Sequence, residues 1–157
     1  MKAQISQVFI YLMTIVIAAF ILFYGYRAIS VFTEKSEQVS FIQFKNSIDN
    51  NVKALSLDFG SVKVQEFTIP GDVNVVCFVS NYPNMLKLNN TKYPLIEDSV
   101  NSGVRKNVFL IGNGIDESFY LDNIESAENL FCMDAISGKI KLRMEGKGDH
   151  AFISAAG

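Results

Sequence analysis

Glycine and proline are scarce, ten and three among 157 residues, too few for a fibrous or disordered chain. Positive charge is not concentrated either. Fourteen Lys and Arg stand against sixteen Asp and Glu, a formal net charge of −2, and the cations are scattered, so no surface for the phosphates of nucleic acid is indicated. The two cysteines, Cys77 and Cys132, lie in no C-x-x-C or Cys/His arrangement, which argues against a zinc site or a thioredoxin-type redox site. Histidine occurs once, as His150 beside Asp149; with no nucleophile motif in the chain it reads as a strand-end surface residue.

Cofactor motifs are missing as well. Gly112-Asn113-Gly114 and Gly146-Lys147-Gly148 lack the flanking spacing of dinucleotide or phosphate loops and read as turns. The acidic residues Asp116, Glu117, Asp122, Glu125 and Glu128 do not follow a calcium-loop pattern and read as a solvated face. No enzymatic activity, cofactor or metal is expected, and no internal repeat is present.

What the chain does have is a long uncharged run near its start. Residues 8–26 carry no charge, and eleven of them are Leu, Ile, Val or Phe. As a helix rising about 1.5 Å per residue, the run approaches the ~30 Å hydrocarbon thickness of a bilayer. Tyr24 and Tyr26 stand at the end of the run beside Arg27, suited to a membrane interface. Two readings compete: a buried core helix, which in soluble proteins rarely lacks a polar face for this long, and a cleaved secretory signal, whose apolar region is usually shorter and for which only Ala28-Ile29-Ser30 offers a small-x-small site. Ala18, Ala19 and Gly25 are the small positions of the run and the candidates for close helix contact. Basic residues flank both ends, so charge alone does not set the orientation.

Next comes an amphipathic stretch. Phe41, Phe44, Ile48, Val52, Leu55 and Phe59 recur at three- and four-residue steps, with Lys45, Asp49, Asn50 and Lys53 between them. Ser40 with Gln43 has the form of a capping box, and Gly60 is placed to end the helix. Beyond Gly60 the period changes to two. Seven short runs, from SVKVQEFTI to HAFIS, are rich in β-branched and aromatic residues and separated by Pro70-Gly71-Asp72, Gly112-Asn113-Gly114 and Ser137-Gly138. The interval 82–103 is polar and predicts a long loop with a helical turn after Pro94.

The expected fold is therefore α+β: a hydrophobic helix continuing into an amphipathic one, packed on an antiparallel sheet of five to seven strands. The divisions are 1–3 as a leader, 4–27 as the membrane helix, 28–59 as a helical stalk and 60–157 as the β domain. Within the last, Lys139, Lys141 and Arg143 alternate with Ile140, Leu142 and Met144. They predict either a charge-protected edge strand or a contact for anionic head groups and surface polymers. Asn89-Asn90-Thr91 is a glycosylation sequon. Cys77 and Cys132 fall on two predicted strands and form a bridge if the domain sits in an oxidising compartment; two buried thiols are the alternative.

The opening Lys2-Ala3, then Gln4-Ile5-Ser6, then a long apolar helix, resembles the class III signal of archaeal type IV pilin-like proteins. The resemblance implies cleavage after Ala3 by a prepilin peptidase, Gln4 as the mature N-terminus, storage in membrane lipid and assembly with copies of itself or other pilin-like subunits. It also implies a single-pass protein of the cell membrane with its C-terminal domain outside. The fifth mature position, commonly Glu in that family, is Val8 here. FIQFKNSIDNNVKAL and KIKLRMEGKGDHAFIS resemble parts of uncharacterised membrane-anchored proteins of small-genome archaea. The functional expectation is a structural subunit or minor component of a pilus-like surface system; the alternative is a permanently anchored surface binding module that does not polymerise.

Overall fold

A computed structural model of the chain describes residues 2–71, 73–82, 84, 85, 87–89, 92–112 and 117–156, with the side chains of residues 2–6, 30–34 and 37 outside that description. The protein is α+β. Its element order is α1 (Lys2–Ser56), β1 (Val62–Thr68), β2 (Val73–Val79), α2 (Pro94–Asn101), β3 (Val108–Gly112), β4 (Glu117–Phe119), β5 (Ile124–Ser126), β6 (Leu130–Asp134), β7 (Lys139–Gly146) and β8 (Ala151–Ala155). Two compact units result, Met1–Val39 and Ser40–Gly157.

The first unit is helical. Its large apolar side chains from Val8 to Ile29 are exposed.

In the second unit, the part of α1 from residue 40 onward shows why the three-and-four spacing matters. Phe44, Ile48, Val52 and Leu55 fall on one face and are buried, each worth about 1.5–3 kcal/mol of apolar transfer. Lys53, on the opposite side, instead meets Asp49 one turn earlier at 2.7 Å. Two features of the predicted helix are corrected. Ser40 is interior to α1, so it caps nothing. The helix ends at Ser56, before Phe59: the Asp58 N–H turns back to the Leu55 carbonyl, and Phe59 is 79% exposed. Gly60 does adopt the left-handed conformation, at φ 81°, but it steers the chain into β1, its N–H bonding the Gly146 carbonyl at 2.8 Å.

The strands form two four-stranded sheets with the orders β1-β7-β8-β5 and β4-β3-β2-β6. All pairings are antiparallel except β5 with β8, so the single antiparallel sheet expected from the periodicity is corrected to one antiparallel and one mixed sheet. ESFYLDNI, which reads as one strand, is broken in two. Asn123 sits at φ 51°, a conformation asparagine tolerates better than most residues, and it carries the chain from the second sheet to the first.

One core gathers the buried face of α1, Phe67, Ile140, Leu142, Met144 and Ile153 of the first sheet, and Val76, Phe78, Val108 and Leu110 of the second. Phe44 lies edge-on to both Phe67 and Phe119, at centroid distances of 6.4 and 6.0 Å. The other face of the second sheet is covered separately. Cys77, Val79 and Phe109 pack there with Leu88 and with Ile96 and Val100 of α2.

Candidate membrane segment and surface sites

Gln7–Ile29 is long and apolar enough to cross a membrane: 23 residues with a mean hydropathy of 2.5. Its polar atoms suit such a medium. The Thr14 hydroxyl donates to the Tyr11 carbonyl at 2.8 Å, so its proton is satisfied within the helix. Tyr24 gathers two neighbouring rings, stacking on Phe20 at 6.3 Å and meeting Phe23 edge-on at 5.8 Å. Ala18, Ala19 and Gly25 are all exposed, and a Cβ added to Gly25 meets nothing within 4 Å. Ala3 and Gln4 have helical backbone, while their side chains lie outside the described residues.

In the second unit, Cys77 and Cys132 are joined as a disulfide between directly opposed residues of β2 and β6. Asn89 is exposed; Asn90 and Thr91, which complete its sequon, lie outside the described residues. So do Asn113, Gly114 and Asp116.

Lys139, Lys141 and Arg143 share the outer face of β7. Their strand is flanked by β1 and β8, which corrects the edge-strand reading: β7 is interior to its sheet. The cations are also largely matched in charge. Lys139 pairs with Glu66 at 2.6 Å, and Glu145 receives both Arg143 at 3.4 Å and Lys147 at 2.5 Å. Lys141 stands opposite Glu66 in the register of β1 and β7. The Lys139 ammonium holds the Glu66 carboxyl below its usual range, and the hydrogen bond from Lys147 does the same for Glu145.

His150 is buried, so its reading as a surface residue is corrected. It begins the approach to β8 with a carboxylate at each ring nitrogen: Asp149 Oδ1 at 2.7 Å from Nδ1 and Glu125 Oε2 at 2.9 Å from Nε2. The Tyr82 ring stacks on the imidazole at 3.9 Å, and its hydroxyl donates to the other oxygen of Asp149. That hydroxyl, followed by the His150 ring, holds the Asp149 carboxyl below its usual range; the same contact pushes the Tyr82 phenol up. The cluster ties the segment after β2 to β5 and to the start of β8. Only the adjacency of Asp149 and His150 was visible in the sequence, because Tyr82 is 67 residues away from its partner.

Glu117 is half-buried on β4, while Asp122 and Glu128 are exposed. Among the described residues, no group of three or more His, Cys, Asp or Glu is arranged to hold a metal ion.

Together these features define a class of protein, an α+β domain bearing an N-terminal helix of membrane-spanning length. No protein-family model, curated protein or solved structure matches the chain.

Proposed function

We propose that the chain is a non-enzymatic, single-pass membrane protein with its C-terminal domain outside the cell, serving as a structural subunit or minor component of an archaeal type IV pilus-like surface system. One observation carries the reading: within the single helix α1, a 23-residue stretch apolar on every side precedes an amphipathic stretch that fills the domain core. Lipid and a core of neighbouring helices make the same demand on the first stretch, so one surface serves both storage and assembly. The disulfide supports an extracytoplasmic domain, since such bonds persist in oxidising compartments. Prepilin peptidase is the processing partner in this reading, acting between Ala3 and Gln4.

Mass spectrometry of the native N-terminus tests the processing. A mature chain starting at Gln4, with Ala3→Leu blocking maturation, is the expected result; an intact Met1 or Lys2 on the surface form removes the peptidase from the account. Assembly is tested by Ala18→Leu and Ala19→Leu. Added bulk at a close helix contact is costly, whereas lipid accommodates it, so membrane insertion is retained and filaments are lost.

Val8 favours a second reading, because the family commonly places a charge that registers subunits at that position. There the chain is a permanently anchored surface binding module that does not polymerise. Absence of filaments in sheared surface material from cells displaying the protein abundantly selects it.

A further inference from the structure

A cavity of about 450 Å³ opens in the second unit, between the segment that follows β2, the C-terminal end of α2 and Tyr120. Its volume falls within the range of small-molecule sites, about 300–1,000 Å³. The walls are pinned by two asparagines whose amides are used at both ends. Asn81 donates to the Leu121 carbonyl at 2.7 Å and accepts from the Ile124 N–H at 2.8 Å. Asn101 donates to the Leu88 carbonyl at 2.8 Å and accepts from the Leu88 N–H at 3.0 Å. The floor is thereby fixed before any ligand arrives, which lowers the ordering cost of binding.

The end of α2 is closed by backbone turns and by the Ser102 hydroxyl, which donates to the Ser99 carbonyl at 2.9 Å. Gly103, at φ 81°, turns the chain so that its own N–H reaches the Val100 carbonyl and the Val104 N–H reaches that of Ser99, at 3.1 and 3.3 Å. Arg105 follows immediately. Its guanidinium carbon lies 4.9 Å from the centre of the Tyr120 ring, a cation–π contact that holds the cation at the cavity wall. Lys87 lines the same cavity. Neither cation has an acidic partner among the described residues, in contrast to Lys139 and Arg143 on β7 and Lys147 just after it.

Two cations without an acidic partner among the described residues suit a carboxylate, which guanidinium binds bidentately. The rest of the lining is mixed. Met85, Val100 and Val104 are apolar, and the exposed Asn84 brings an amide to the rim. That combination matches a sugar ring, which presents C–H faces and hydroxyl edges together. We propose that the cavity binds a carboxylate-bearing saccharide unit, a hexuronate, with Arg105 gripping the carboxylate and Lys87 supplying the second charge. The inference is independent of whether the chain polymerises.

The test uses the full chain in micelles of a polyoxyethylene detergent, which carries no sugar. Calorimetric titration with sodium glucuronate is expected to give a dissociation constant on the order of 1 mM. Glucose and acetate bind at least about tenfold more weakly, since each offers half of the recognised chemistry. Arg105→Gln weakens glucuronate binding about tenfold and Lys87→Gln severalfold, with the thermal midpoint of each variant retained. Four results overturn the proposal: glucuronate no tighter than acetate or glucose, inorganic phosphate tighter than glucuronate, unchanged binding by both variants, or no binding together with a lowered midpoint in Arg105→Gln. The last assigns the cations to stabilising the end of α2. Should Arg105→Gln fail to fold, Lys87→Gln and Asn84→Ala, both at exposed positions, carry the test.

Discussion

Gly146 and Leu55 meet backbone to backbone: a Cβ placed on Gly146 would lie 2.2 Å from the Leu55 carbonyl oxygen and equally close to that of Asp58. The contact seats β7 against the end of α1, and no flexible side chain is available to give way. Gly146→Ala is expected to cost about 2–4 kcal/mol. Gly71→Ala, whose Cβ meets nothing within 4 Å, serves as the control and changes stability by less than about 0.5 kcal/mol. Urea denaturation of the two variants checks the difference.

Phe44 and Phe59 belong to the same periodic stripe but differ in consequence. Phe44 is 1% exposed and touches the rings of Phe67 and Phe119, so Phe44→Ala should lose about 4 kcal/mol. Phe59 lies past the helix end and is exposed, and Phe59→Ala should fall within about 0.5 kcal/mol of the parent. A thermal melt that ranks the pair in the opposite order contradicts the helix boundary described above.

The Cys77–Cys132 bridge spans 55 residues of sequence. A loop of that length removes denatured-state entropy worth about 4 kcal/mol in the chain-constraint view. Native protein should therefore resist thiol alkylation in denaturant until it is reduced, and Cys132→Ser should lower stability by about 2–5 kcal/mol. Labelling of both cysteines without reductant is the contrary outcome.

Asp149, Glu145 and Glu66 are each held below the ordinary carboxylate range, by Tyr82, Lys147 and Lys139 respectively. In the unfolded chain these carboxyls take up protons more readily. Their contribution is thus complete above the unfolded values near pH 4 and is lost as pH falls through the lower folded ones. Tyr82→Phe deletes the largest cause acting on Asp149, so its urea midpoint should decline less steeply than that of the parent between about pH 5 and pH 2. An unchanged slope excludes the Tyr82 hydroxyl as the cause.

Local periodicity carried much of the fold. The α+β class, the apolar helix and the buried stripe from Phe44 to Leu55 all depend on neighbours within a few residues, which a sequence displays directly; after Pro94 it shows one helical turn in a loop, where α2 runs on to Asn101. The division of the strands into two sheets does not. β7 reads as an edge because three cations alternate along it, yet its partners β1 and β8 bury both of its edges; the Lys139–Glu66 pair that balances its charge joins residues 73 apart. His150 was misplaced for the same reason, since Tyr82 and Glu125 come to it from distant segments. The cavity beside Arg105 gave no signal at all, because the asparagine clasps that shape it have no local pattern.

The two sheets are interleaved along the chain: the first takes strands β1, β5, β7 and β8, and the second takes β2, β3, β4 and β6. Among the described residues β1 pairs with β7 alone and β5 with β8 alone, so the first sheet waits for the last two strands. Synthesis from the N-terminus consequently delivers the membrane-length helix long before the sheet against which the rest of α1 is buried. During that interval the faces of Phe44, Ile48 and Val52 are bare, and closing such distant pairings is slow. A translation stop anywhere before β8 leaves the apolar stripe of Phe44, Ile48 and Val52 without the strand pairings that complete the first sheet over it.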